Sequence, residues 1–408
     1  MEKRAVRYFL DATHPITGQV LDKAPNFVAI GDSDRVASIA STGFGMAVLA
    51  NASQRGLVPA VVAQDKILRG LKFARDHVGR RKGWFLHFYD WETGERRYQS
   101  EYSTIDTALF LGGALYAAAI FPGTEIEDVA YELYRDADFW DSMTDGGSKP
   151  WKRSLSMAYN EGRGYTISQW DMYAEQMLLI LLGLGHPTNP LPKEAWLAFE
   201  RDVMSLPHRS ESMMGLEEAL FVHQYSQVFV DFRNFQDGFR SYYDNGIIAT
   251  RLNRDVARRD RRFKTLREGF WGFSAGEAPN GYSVATLLRY NGTVCIGCAL
   301  GSAMYMPNEI LSDAQRWLNS SHRSSLWGKY GFIDSLNLDE KWFSPYVLGI
   351  TVGPAYMALA NLREDTSIWK GFMKLPEIQK AMNVARESST VNSTPVAASK
   401  SPLLKALR

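Results

Sequence analysis

About six segments of this chain read as helices that are apolar almost all round, and each is followed by a helix apolar on one side only. The first kind lies near Val36 to Leu49, from Ile105 to Ala118 after a cap at Ser103 or Thr104, Ser168 to Leu182, Leu216 to Val230, Thr293 to Met306 and Val347 to Leu362. The second kind lies near Ala60 to Val78, Glu125 to Ala137, Lys193 to Val203, Tyr242 to Arg259, Asn308 to Leu318 and Thr366 to Ala385. A helix apolar on every side must be buried on every side, whereas one apolar stripe covers a core and leaves the other face in water. No convincing series of alternating strand patterns appears. The alternation therefore predicts an all-α fold, an (α/α)6 toroid of six inner and six outer helices, with short hairpin or loop insertions at one rim.

Length alone, 408 residues, allows two or three domains. The continuous alternation predicts a single domain over 1–386. The Ser/Thr/Ala/Pro-rich tail, 387–408, predicts disorder. Asp32, Ser33 and Asp34 offer caps for the first buried helix, and Pro15, Thr17 and Gly18 predict a turn before it. A formal net charge of +1 provides no field to draw in nucleic acid or an acidic membrane. No apolar run is long enough for a membrane-spanning helix. Met1-Glu-Lys-Arg does not lead into a signal-peptide core, so the protein stays inside the cell or the chain starts after a removed signal.

Two cysteines, Cys295 and Cys298 in CIGC, are too few for a structural zinc and read as small core residues, with a redox pair as the alternative. His87, His186, His208, His223 and His322 lack ligand spacing on any one helix, and no nucleophile elbow, phosphate loop or dinucleotide fingerprint is present. No cofactor or metal is implied.

What remains is carboxylates beside aromatics. In the stretch Gly83 to Phe121, Trp84, Phe85, Phe88, Tyr89 and Trp91 crowd around Asp90, and Glu92 to Glu95 reads as a tight turn. Glu101 and Asp106 then sit at the mouth of a buried helix. Asp171 and Glu175 are four apart and predict a shared helix face, flanked by Trp170 and Tyr173, with Glu161 in a glycine-rich loop upstream. A Glu in so apolar a run is costly unless paired or functional, and an arginine from another inner helix is one reading of it. Asp231 and Arg233 alternate with aromatics and read as an ion pair or as sugar-hydroxyl ligands. Trp271 and Tyr282 bracket a polar loop, and Tyr330 and Phe343 flank Asp334. Such a set suits glycoside hydrolysis, in which one carboxylic acid protonates the leaving oxygen and another carboxylate activates water or attacks the sugar.

The runs GWFLHFYDWETGER…SEYSTIDTALFLGGAL, YAEQMLLILLGLGHPTNPLP, FVHQYSQVFVDFRNFQD, WGFSAGEAPNGY and WGKYGFIDSLNLD…WFSPYVLGITVGP resemble, in order, the bacterial glucoamylase-like family. That family includes endo-β-1,2-glucanases and the transglycosylating domain of cyclic β-1,2-glucan synthases. The resemblance spans about Tyr8 to Ala385. It implies the (α/α)6 barrel, a β-glucan oligo- or polysaccharide substrate, and a periplasmic or secreted location in bacteria if a signal was removed. It also implies Glu175 as general acid, with Asp334 or Asp106 as base and Glu101 as a further candidate. Trp84, Phe88, Asp90, Glu161, Trp170, Tyr173, Asp231, Arg233, Trp271, Tyr282, Tyr330 and Phe343 are then expected to bind substrate. The loop after Trp271 departs from the family's Asp-Gly-Pro-like run, and His186 stands where a Ser is common. A hydrolase releasing sophoro-oligosaccharides is the leading expectation. A β-1,2-glucan transglycosylase and a non-catalytic glycan-binding protein are the alternatives, and starch hydrolysis is a weaker one.

Overall fold

The computed structural model describes residues 1–144, 149, 152–206 and 210–388. The tail beyond Ser388 and His208 lie outside these residues; Glu387 and Ser388 close the last helix. The chain is helix-rich. Its main helices are α1 (Glu2–Asp11), α2 (Ile39–Gln54), α3 (Ala60–His77), α4 (Thr104–Ile120), α5 (Glu125–Asp136), α6 (Met177–Gly185), α7 (Tyr225–Phe229), α8 (Tyr242–Arg259), α9 (Ile296–Leu300), α10 (Pro307–Leu318), α11 (Gly349–Ala360), α12 (Ile368–Phe372) and α13 (Pro376–Ser388).

Four of the six one-sided helices form where their periodicity places them. α3, α5, α8 and α10 each bury one stripe, such as Ala63, Ile67, Leu71 and Ala74 in α3. α2 and α4 run at least as long as the sequence predicts, whereas the other buried helices are shorter or broken. α2 starts at Ile39 and is capped by Ser38, not by Asp32 to Asp34, because Val36–Ser38 pairs as a strand with Phe88–Asp90. Ser168 to Gln176 is not helical, so Asp171 and Glu175 share no helix face. Lys193 to Val203 yields one helical turn, Glu194–Leu197, before a strand at Val203–Ser205. Leu216 to Val230 splits into a 3-10 turn and α7. The Thr293 to Met306 run yields only α9, and Pro376 starts α13 as a separate helix. The amino-terminal α1 has no counterpart among the expected helices. Cys295 and Cys298 are buried but joined in a disulfide, where separate core thiols were the leading expectation.

Small antiparallel pairs, of strands two to four residues long, set where several buried helices begin. Tyr102–Ser103 runs into α4, Val294–Cys295 into α9, and Tyr346–Leu348 into α11, as Val36–Ser38 runs into α2. Each pairing satisfies backbone groups that a longer helix would have used, and ties down the loop before a buried helix.

The buried helices pack in succession: α2 on α4, α4 on α6, α6 on α7, α7 on α11, and α11 on both α9 and α2. Their amino-terminal turns are bonded to one another. Ser226 Oγ in α7 accepts from the Leu178 amide in α6 and donates to the Glu175 carbonyl, at 2.8 and 2.5 Å. Tyr225 Oη donates to the Ile350 carbonyl in α11 at 2.9 Å, and the Gly297 amide of α9 donates to the Asp334 carbonyl at 3.2 Å. The starts of α6, α7 and α11 are thus tied together around one basin, with Asp334 beside the start of α9.

α2 and α4 touch backbone to backbone through glycine. A Cβ on Gly113 would lie 1.9 Å from the Gly43 carbonyl oxygen, and one on Gly43 would lie 2.4 Å from Phe110 Cα. Gly113→Ala is expected to lower stability by about 1–3 kcal/mol, the usual cost of overpacking a core. Thermal melting checks this, and an unchanged midpoint would mean the two helices separate freely.

Candidate active site

The basin is acidic and is organised around one histidine. Ser103 caps α4 by accepting from the Asp106 amide, and its hydroxyl donates to Asp106 Oδ2 at 2.5 Å. That places Asp106 in the first helical turn, where the positive end of the helix favours a carboxylate. Opposite it, His87 precedes the strand Phe88–Asp90. The His87 amide donates to the Glu101 carbonyl, and the His87 carbonyl accepts from the Ile39 amide at the start of α2. So held, the ring sets Nδ1 2.9 Å from Glu101 Oε1 and Nε2 3.5 Å from Asp106 Oδ1, and it stacks on Phe88 at 3.7 Å.

Burial alone would lower the pKa of His87. The Asp106 charge, then the Glu101 bond and charge, then Asp22 outweigh it and raise it to about 9. His87 is therefore an imidazolium bridging two carboxylates at neutral pH. In Glu101, burial opposes the His87 bond, which wins and lowers its pKa.

Glu175 lies in the turn just before α6. Among the described residues it makes no ion pair, so the expected arginine partner is not found there. Loss of solvent, reinforced by the charges of Glu218 and Asp106, pushes its pKa up to about 7. It is the carboxyl in the basin best suited to carry a proton at neutral pH.

Asp334 is buried at 1% exposure beneath the hairpin formed by Ala275–Ala278 and Gly281–Val284. Oδ1 accepts from Thr351 Oγ1 of α11 at 2.8 Å. Oδ2 accepts from Ser335 Oγ at 2.7 Å and from the Glu277 amide at 2.8 Å. Burial raises its pKa against those three bonds. Tyr282, across the hairpin from Glu277, is 55% exposed and senses Asp334, Asp22, Asp106 and Glu175.

The structure thus brings together Glu175, Asp106, Glu101, Asp334, Phe88 and Tyr282. It adds residues that sequence reasoning did not single out. Asp22 is raised to about 6 by burial, with its own carbonyl accepting from Gly349 at the start of α11. Lys23 pairs with Glu277 at 2.9 Å, and Tyr225 opens α7. The signal for Asp22 and Lys23 was positional: they stand in the segment leading to the first buried helix, where Glu101 and Glu175 stand before theirs.

Other expected binding residues are elsewhere. Trp84 and Trp271 are wholly buried, the latter with Nε1 on Asp313 at 2.8 Å. Trp170 Nε1 donates to Thr104 Oγ1 at 3.0 Å, and Tyr173 stacks flat on Tyr242. Both rings are structural supports behind the basin. Asp90 is buried between Arg35 and Arg97 and accepts the Glu92 and Thr93 amides, which makes it the anchor of the Glu92–Glu95 turn. Asp171 pairs with Lys152, and the exposed Glu161 pairs with Arg96. Asp231 and Arg233 form an ion pair past the carboxyl-terminal end of α7, with Arg233 over Trp369, so they face the opposite rim. Tyr330 packs edge-on against Tyr8 near α1, and Phe343 lies against His322.

Two groups have metal-ligand spacing. His87, Glu101 and Asp106 place one ligand atom each within 4.8 Å of one another, and so do Cys295, Cys298 and Asp334. In the first the imidazolium already balances the carboxylates, and in the second both sulfurs are spent in the disulfide.

A family model described as "Putative glucoamylase" matches residues 167–376, just over half of the chain. This chain belongs to that glucoamylase family. The family match takes in Glu175, Tyr225, Tyr282 and Asp334, while His87, Glu101 and Asp106 lie before it. An exo β-1,2-glucooligosaccharide sophorohydrolase (non-reducing end) of Parabacteroides distasonis is 23% identical over 92% of this chain. The match spans only 56% of that relative's length. Among solved structures, a glucoamylase-family protein from Bacteroides uniformis superposes with a TM-score of 0.84 at 25% identity, covering 94% of this chain and 95% of that one. An endo-β-1,2-glucanase from Chitinophaga pinensis, in complex with sophorotriose and glucose, superposes at 0.82 and 21% identity over 94% and 96%. These likenesses agree with a helix-rich fold carrying small hairpins.

Proposed function

We propose that this chain is a glycoside hydrolase that cleaves β-1,2-linked glucan and releases sophoro-oligosaccharides, on an (α/α)6 toroid formed by residues 1–386. The observation that carries the chemistry is the proton-holding carboxyl of Glu175 sharing a basin with the His87-bound carboxylate of Asp106. The linkage rests on the Parabacteroides relative, named for β-1,2-glucooligosaccharides, and on the shared fold of the Chitinophaga enzyme. The toroid reading rests on the succession of buried helices whose starts share one basin, each followed by partly exposed cover.

In this mechanism Glu175 protonates the glycosidic oxygen as the bond breaks. The Asp106 carboxylate takes a proton from the attacking water, directly or through a substrate hydroxyl. His87 positions it: the imidazolium holds Asp106 in one orientation and keeps the Glu101 charge from repelling it. Asp106 is favoured as base because its side chain remains partly open to the basin, while the Asp334 oxygens hold three donors. A second reading gives Asp334 the base role, on its raised pKa and its place below Tyr282.

The test is incubation of the purified protein with linear β-1,2-glucan, with products followed by NMR. Sophoro-oligosaccharides are expected, and the first anomer seen assigns retention or inversion. Cyclic or elongated products would replace hydrolysis by transfer, and no turnover would sink the enzyme reading.

The pH profile follows from the same carboxyl. The acid must be protonated, so kcat/KM is expected to fall as pH rises through about 7. A profile flat from pH 6 to 9 would remove Glu175 from the acid role.

A further inference from the structure

We infer that the exposed ring of Tyr98 is a stacking platform for a sugar unit beyond the bond that is cut, forming a distal subsite continuous with the acidic basin. The inference rests on the reading of the basin as a glucan-cleaving site and names how that site extends.

Three observations carry it. First, Tyr98 is 73% exposed, in a hairpin whose neighbouring aromatics Tyr89 and Trp91 are not exposed. Second, its backbone lies at φ +55°. For a bulky side chain this left-handed region is unfavourable, and such outliers persist where surrounding contacts impose them. The Arg97 amide donates to the Phe88 carbonyl at 3.1 Å, and the Phe88 amide donates to Ser100 Oγ at 2.8 Å. The chain between these two bonds bulges away from its partner and lifts residue 98 off the hairpin. Third, the lifted ring is not isolated. It stands edge-on to Phe88 at 5.8 Å, Phe88 stacks on His87, and His87 touches Glu101 and Asp106. A line of rings therefore runs from the rim to the carboxylates.

The chemistry fits a pyranose. A β-linked glucose presents C–H faces that pack on an aromatic ring, while its hydroxyls stay in water. A tyrosine supplies rigid amphipathic contact area at low entropy cost. A glucan with its reacting unit beside Asp106 and Glu175 would lay a later unit on Tyr98. Short substrates that end inside the basin would not reach it.

The experiment compares wild type, Tyr98→Gly and Tyr98→Phe on a series of β-1,2-linked oligosaccharides from trimer to hexamer. Glycine suits the left-handed backbone, so Tyr98→Gly removes the ring without adding strain. The expected result is KM for the longest substrates raised about 3- to 10-fold in Tyr98→Gly, with kcat and the shortest productive substrate unchanged and Tyr98→Phe like wild type. Equal kinetics for wild type and Tyr98→Gly at every length would overturn the subsite and leave the hydrolase reading standing. A loss uniform across lengths would also overturn it, by showing a structural role. A wild type that neither binds nor cleaves any member of the series overturns the functional reading and the subsite with it.

Discussion

Glu175→Gln is expected to leave a folded protein that has lost the proposed release of sophoro-oligosaccharides from linear β-1,2-glucan. The turn before α6 is held through its main chain, with the Ser226 hydroxyl donating to the Glu175 carbonyl. An amide of the same size does not disturb that bond. It removes the proton that the leaving oxygen needs, and general-acid contributions are on the order of 10²- to 10⁴-fold. Ligand affinity, read by calorimetry with an oligosaccharide, is expected to persist.

The variant also changes stability in a predictable direction. The folded pKa of Glu175, about 7, lies above its ordinary carboxylate value of 4.5. The protonated form is thus the one the fold favours, and stability is lost as pH rises from the lower value through the upper one. Above pH 7 the glutamine variant escapes this penalty, and its melting point is expected to exceed that of wild type by the equivalent of about 3 kcal/mol. Near pH 4 the two should melt together. Full activity in Glu175→Gln would remove the residue from the mechanism.

Asp106→Asn and Asp334→Asn should separate by a different pair of measurements. Asp106→Asn keeps the Ser103 cap on its own amide but loses the anionic partner of His87. Turnover is expected to fall on the order of 10²- to 10⁴-fold, and the His87 pKa, which the Asp106 charge holds up, should fall as well. Asp334→Asn instead replaces one of two buried acceptor oxygens by a donor. One oxygen cannot serve Thr351, Ser335 and the Glu277 amide alike. Leaving a buried donor unmet costs about 1–3 kcal/mol, so the hairpin carrying Tyr282 should loosen and the melting point fall. The discriminating outcome is an Asp334→Asn protein that melts like wild type yet is inactive, beside an active Asp106→Asn. That result would move the base role to Asp334.

The one-sided helices are legible in the amino-acid sequence because their information is local. Tyr242 to Arg259 is helical over the same residues that its periodicity marks, and α3 and α5 end within a residue of their expected limits. The cap at Ser103 is legible for the same reason, and it places Asp106 in a first turn. Several carboxylates also stand out, since a Glu or Asp within an apolar run demands an explanation wherever the chain goes.

The limits of the buried helices are not legible in this way. A run apolar all round carries no phase, so nothing in such a run distinguishes a helical turn from a two- or three-residue strand paired across the rim. Val36–Ser38 and Val294–Cys295 are strands because Phe88–Asp90 and Ser335–Asn337 lie beside them. Nor does aromatic content separate groove from core: Trp84 and Trp271 are sealed by distant neighbours, while Tyr98 is lifted into solvent. The bridge from Glu101 through His87 to Asp106 has the same origin. Local pattern sets which segments wind and which face they bury. The proton-bearing and charge-balancing roles arise only when separate helix starts meet, because a pKa depends on burial and on charges brought near through space.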